Sequence, residues 1–119
     1  MRASEIVAKL LATDGPDRQI DLAIALYLGF ERKAEPDSAS ANGRRVTWTD
    51  PAGQLVMGVP FYTKSLDQAY ELAQILNPGN VGGCSWEPDK GSARIDNGHY
   101  WQAVSPAIAL CIAALENQN

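Results

Sequence analysis

The sequence predicts an α+β domain in which a mainly antiparallel sheet of about five strands is packed between helices, an α/β/α sandwich. Three observations carry this. Apolar residues recur at helical spacing near both ends and once in the middle, each time beside a helix-start signal. The segments between alternate apolar and polar residues with period two. Short turn sequences join most of those segments, and short turns make antiparallel neighbours.

The elements follow in order. Ile6, Val7, Leu10 and Leu11 give an amphipathic helix over 4–12. Asp14-Gly15-Pro16-Asp17 puts a proline among acids at a helix start, and a second helix over 16–28 buries Ile20, Ala23, Ile24, Tyr27 and Leu28. Gly29 suits the left-handed residue that ends it. Residues 31–43 carry no large apolar side chain, which predicts a mobile surface loop. Val46 and Trp48 alternate with Thr47 and Thr49, a strand over 44–49. Asp50-Pro51-Ala52-Gly53 suits a type I turn, with a return strand over 54–59. Ser65 and Gln68 form a capping box before a helix bearing Leu66, Ala69, Tyr70, Ala73 and Leu76 on one face. Segments 81–87, 92–96 and 99–104 read as three strands. Their turns are Pro88-Asp89-Lys90-Gly91 and Asn97-Gly98, the latter a strong hairpin signal. Ser105-Pro106 pairs an N-cap with proline at the first helical position. The last helix, 106–116, is apolar nearly all round and should be buried.

Composition narrows the functional classes. At 45% apolar and 20% charged, the 119 residues suit one globular domain spanning 1–119. A net charge of −4 argues against DNA or RNA as a partner, which needs a basic surface, yet leaves room for a local anion pocket. Cys84 and Cys111 are far apart and form no CxxC pair, so two buried free thiols in a reducing compartment are expected. Glu5 and Lys9 interrupt the N-terminal apolar pattern, against a signal peptide. No apolar run approaches the roughly 20 residues of a membrane span. These readings predict a cytoplasmic protein with no membrane partner.

Catalytic constellations are thin. His99 is the only histidine, so no metal is expected. A Cys84–His99 pair could make a nucleophile and base, but a structural Cys beside a half-buried His is the preferred reading. Asp17 and Asp21 could act as paired carboxylates, but a solvated helix face is preferred. Gly79-Asn80-Val81-Gly82-Gly83 leads into a strand rather than a helix, so a bend is preferred over a phosphate loop. The most suggestive set is aromatic and basic: Trp48, Trp86, Tyr100 and Trp101 with Arg44, Arg45 and Arg94, all on expected strands. Alternation puts Tyr100 opposite His99 and Trp101, and the tryptophans and arginines are the candidate ligand residues. A nucleotide needs a flat apolar surface for its base and guanidinium forks for its phosphates. The competing reading makes these tryptophans core and these arginines solvated. No cofactor is expected.

Three segments carry a resemblance: Gly15-Pro16-Asp17-Arg18-Gln19-Ile20-Asp21-Leu22-Ala23-Ile24-Ala25, then Tyr62-Thr63-Lys64-Ser65-Leu66-Asp67-Gln68-Ala69, then Ser105-Pro106-Ala107-Ile108-Ala109-Leu110-Cys111-Ile112-Ala113-Ala114-Leu115. In this order, with a Trp-bearing strand before the third, the chain resembles small phage and prophage proteins of the phage ABA sandwich type. The resemblance covers about residues 5–116 and is poor over 31–60. It implies a sheet between helices and brings no catalytic motif. A phage origin implies an accessory protein acting in the host cytoplasm. One class of such proteins sequesters the nucleotide messengers of bacterial immunity. The leading expectation is therefore a non-enzymatic, homo-oligomeric anti-defence sponge for a small anionic nucleotide. The alternative is a module that binds a host protein and takes no small ligand.

Overall fold

The computed structural model describes residues 1–118. Its elements are α1 (Ala3–Ala12), α2 (Arg18–Leu28), β1 (Glu31–Pro36), β2 (Arg44–Thr49), β3 (Leu55–Val56), α3 (Leu66–Leu76), β4 (Gly82–Glu87), β5 (Lys90–Ile95), β6 (Trp101–Ala103) and α4 (Pro106–Glu116). The class is α+β, with two three-stranded antiparallel sheets, β1-β2-β3 and β4-β5-β6, rather than one five-stranded sheet.

The core is built around α4. Every residue from Ala107 to Leu115 is buried, as an all-apolar helix requires. Alanines keep it thin, so α1, α3 and the second sheet all pack against it. Ser105 Oγ accepts the Ile108 N–H at 3.2 Å, and Pro106 occupies the first helical position. From β5, Gly91, Ala93 and Ile95 are buried toward α4, while Ser92 and Arg94 point away. Gly91 is the closest approach: a Cβ there would lie 2.2 Å from the Pro106 nitrogen. Helices cover only this one face of the sheet, so the α/β/α sandwich does not form. The opposite face carries Ser85, Ser92 and Arg94 uncovered by any helix.

Helix ends follow local chemistry, with two corrections. Pro16 precedes the cap of α2 instead of opening the helix. Asp17 is the N-cap, its Oδ1 accepting the N–H groups of Gln19 (2.8 Å) and Ile20 (3.3 Å). Ser65 caps α3 by accepting the Gln68 N–H at 3.2 Å, but the Gln68 side chain accepts from the Phe61 N–H, so the box is only half made. Gly29 ends α2 at φ +104, as a left-handed cap should.

The first sheet departs furthest from expectation. Residues 31–36, expected in a loop, pair along their whole length with β2, from Glu31↔Thr49 to Pro36↔Arg44. Only 37–43 form the connection. The strand was hidden because it buries nothing: both its faces are polar, so no apolar alternation marks it. The return strand shrinks to Leu55–Val56; Val59 leaves the ladder to enter the core. The strands of this sheet make substantial contact only with one another, and Trp48 and Phe30 tether it to the core. The chain measures 51 × 29 × 23 Å with a radius of gyration of 15.4 Å. A compact chain of this length would give about 13–14 Å. That shape fits a sheet standing off the helical body.

The last hairpin also differs in detail. β5 and β6 pair through Gly91↔Ala103, Ser92↔Gln102 and Ala93↔Trp101, so their connection is wider than a two-residue Asn-Gly turn. Asp96, not Asn97, takes the positive φ of +50, and its N–H donates to the Val81 carbonyl at 2.7 Å.

Candidate functional site

The six residues expected to hold a ligand divide between the sheets. Arg44, Arg45 and Trp48 lie on β2; Trp86, Arg94 and Trp101 lie on β4, β5 and β6. Alternation divides them again. Arg45 points opposite to Trp48 and reaches Glu35 at 3.5 Å. Arg44 shares the Trp48 face but is exposed at the far end of the strand. Trp48 and Trp101 are half-buried against the core. Trp86, on the α4 side of its strand, is 74% exposed. Arg94 faces the bare outer side.

That outer side forms a groove of about 410 Å³, lined among others by Gly83, Ser85, Ser92, Arg94, Asp96 and Tyr100. The Arg94 guanidinium lies 4.8 Å from the centre of the Tyr100 ring. Among the described residues it has no ion-pair partner, and its Nε is buried without an acceptor. Stacking on an aromatic face fixes the plane of a guanidinium without spending its donors. The hydroxyls of Ser85 and Ser92 sit 2.7 Å apart on the groove floor. At one end Asp96 accepts the Val81 N–H through Oδ1 at 3.1 Å. Tyr100 belongs to the aromatic set singled out in the sequence but not to the six candidates, and the serine pair was not expected. Strand alternation alone separates Tyr100 from Trp101, but only the β4–β5–β6 register brings it to Arg94.

A second cavity, of about 480 Å³, lies on the other side of β4. Tyr70, Ala73, Gln74 and Asn77 of α3 and its end form one wall. Gly82, Gly83 and Cys84 of β4 form the other, with Ile95 and Leu110 at the floor. Cys84 is thus a half-buried lining residue, not the buried thiol expected; Cys111 is fully buried, and both are free.

The remaining chemical candidates resolve into structure. The His99 ring meets Trp101 edge-on, with centroids 4.8 Å apart, and no hydrogen bond joins it to Cys84. Asp21, expected on a solvated face, is buried. Its Oδ1 accepts the N–H and hydroxyl of Thr63, both at 2.8 Å, and its Oδ2 accepts from Arg18 at 2.9 Å. Arg18 also donates to the Val59 and Pro60 carbonyls and lies 3.8 Å from the Phe61 ring centre. The pair Asp17 and Asp21 therefore caps α2 and staples it to residues 59–63. Gly79 takes φ +78 in the turn after α3, and no helix N-terminus follows it. No group of three or more His, Cys, Asp or Glu among the described residues could hold a metal. No helix there is long and apolar enough to cross a membrane.

Comparisons with protein-family models, with curated proteins and with solved structures give no match to this chain.

Proposed function

We propose that this protein binds and sequesters a small anionic nucleotide without transforming it, and that the ligand lies on the outer face of the β4-β5-β6 sheet. The observation that carries this reading is Arg94: a guanidinium stacked on Tyr100 in an open groove, in no ion pair among the described residues and with its Nε buried without an acceptor. Phosphate oxygens would take its terminal N–H groups and the Ser85–Ser92 hydroxyls. Tyr100, 62% exposed, offers a face for a base, and the free Oδ2 of Asp96 can accept a sugar hydroxyl. The Ser85 and Ser92 hydroxyls bond each other, and among the described residues neither is hydrogen-bonded to a carboxylate or an imidazole that could activate it, so capture rather than turnover is the chemistry the groove favours. With the resemblance to phage proteins, this reading makes the protein an anti-defence sponge in the host cytoplasm.

A thermal-shift screen against cyclic dinucleotides and cyclic ADP-ribose tests it, followed by calorimetry. A ligand should raise the melting temperature and be recovered intact after heating. Arg94→Ala should weaken binding about tenfold or more, since a charge-assisted bond contributes roughly 1.5–3 kcal/mol. Arg44→Ala and Arg45→Ala should bind as wild type. If no nucleotide shifts the wild type, the sponge reading falls and the host-protein module replaces it.

A further inference from the structure

Every open β-sheet has edges, and an edge strand with unpaired N–H and C=O groups recruits another strand unless something blunts it. The two sheets here have four edges. β1 is blunted by Lys33, by its other charges and by Pro36. β3 has two residues and β6 three, too short to recruit. β4 is different. Its six residues, Gly-Gly-Cys-Ser-Trp-Glu, carry no Lys and no Pro, and their one charge is at the end.

The outward-facing groups of β4 can be identified. Asp96 N–H donates to the Val81 carbonyl, so position 81 is bonded toward β5. Alternation along an antiparallel ladder then turns Gly83, Ser85 and Glu87 toward β5 as well. Gly82, Cys84 and Trp86 are left with their N–H and C=O groups on the open edge. Their side-chain positions are on the α4 side, next to the cavity beneath α3.

We propose that β4 is the seam of a homodimer: it pairs antiparallel with β4 of a second copy, in the register that sets Cys84 opposite the partner's Cys84. The choice of a second copy rests on self-complementarity. In this register the three outward residues of one strand meet the three of the other, each facing pair exchanging two hydrogen bonds. Gly82 then faces the partner's Trp86, and Trp86 faces the partner's Gly82. An exposed indole is laid across a glycine that has no side chain to cover its own backbone, a pairing that stabilises edge glycines. The same geometry carries the partner's Trp86 into the cavity lined by Tyr70, Val81 and Leu110. Tyr70 and Val81 are 58% and 74% exposed in the single chain. The cavity is therefore incomplete until the partner supplies the residue that fills it. The inference does not depend on the nucleotide reading: it uses the open edge of β4 and the cavity beneath α3, and not Arg94, Tyr100 or the serine pair, although Gly82 and Cys84 border both hollows.

Sedimentation velocity and cross-linking on the full chain test it. Wild type at micromolar concentration should sediment as a dimer. Facing residues in such a pair have Cα atoms about 5.5 Å apart, within disulfide range. Diamide, which takes two electrons and two protons from a thiol pair, should therefore give a covalent dimer. Cys84→Ser should abolish that product, and Cys111→Ser should not. Trp86→Lys should shift the dimer to monomer with an unchanged circular dichroism spectrum; Val81→Lys, also at an exposed position, provides a second disruption should the first variant misfold. A wild type that stays monomeric up to about a hundred micromolar overturns the proposal. So does a dimer that neither cross-links through Cys84 nor responds to either lysine. A monomer that takes an extended peptide along β4 overturns it in favour of a host-protein partner. Ligand calorimetry on the Trp86→Lys monomer keeps the two readings separate.

Discussion

The two sheets share a topology and differ in almost everything else. Each is a three-stranded antiparallel meander. In β4-β5-β6, alternate residues of the central strand are buried under α4. In β1-β2-β3 not one strand residue is buried. The second sheet is held by apolar burial and close backbone approach; the first is held by its own ladder, by exposed ion pairs and by the Trp48 tether. The same backbone pattern can therefore be a structural wall or an appendage, and packing against a helix decides which. Stability and local order should divide accordingly, with global unfolding set by the body and early opening confined to the first sheet.

The sharpest contrast is between two glycines. Gly91→Ala would push a methyl into the Pro106 backbone, where neither strand nor helix N-terminus can give way cheaply. Overpacking of this kind costs typically 1–3 kcal/mol and occasionally more, and backbone contact places Gly91 at the upper end. Gly53, in the β2–β3 turn, takes φ +86 with open space around its Cβ position. Gly53→Ala should cost only the left-handed penalty, roughly 1 kcal/mol, and mainly loosen the first sheet. Urea unfolding read by circular dichroism measures both. Equal losses would break the division between wall and appendage.

Alkali should act on the body through two buried acids. Burial, then the neighbouring Asp21, pushes the Cys111 thiol far up. Burial, then Cys111, Glu71 and Asp21, does the same to the Tyr62 phenol. Cys111 Sγ also donates to the Tyr62 carbonyl at 3.4 Å. The folded state holds both protons after the unfolded chain has released them. Their contribution is therefore complete below the unfolded values, about 8.5 and 10, and is lost as pH rises beyond them. Urea midpoints should be flat below about pH 8 and fall in two stages above. Cys111→Ala should remove the first stage and Tyr62→Phe the second. The first sheet carries neither Cys nor Tyr, so a slope that survives both substitutions would point to a different cause.

What the sequence disclosed follows the same division. Helices were legible because caps and apolar faces are local: Ser65, Ser105 and Gly29 do what their residue types prefer. Strand β2 was legible because Trp48 and Val46 give it a period. Strand β1 was not, because a strand stabilised by pairing alone leaves no apolar trace. Asp21 looked solvated since its partners, Thr63 and two carbonyls held through Arg18, are more than thirty positions away. The candidate site was half legible for a related reason. Residue types made Arg94 a candidate for phosphate, but grouping it with Arg44, Arg45 and Trp48 needs one continuous sheet. Only register and sheet membership separate them, and neither is written in local sequence.

The smallest effect should be found in the first sheet, at Glu35. Its carboxyl is held below the usual range mainly by Lys33, whose ammonium pairs with it at 3.1 Å, and secondarily by Arg45. A depressed value means the pairing stabilises the folded sheet above the ordinary glutamate range, near pH 4.3, and is lost as pH falls through the folded value. The Glu35 side chain is 41% exposed, so water and salt screen that contribution strongly. Carboxyl chemical shifts followed by NMR should show Glu35 titrating below an ordinary glutamate. Lys33→Ala should move it up toward the ordinary value, Arg45→Ala should move it less, and 1 M salt should move it in wild type as well. At neutral pH none of these changes should alter the urea midpoint of the body, because α4 and the second sheet bury no part of this cluster. If Lys33→Ala lowers that midpoint as Gly91→Ala does, the first sheet is a wall like the second, and Trp48 couples the two far more tightly than a tether.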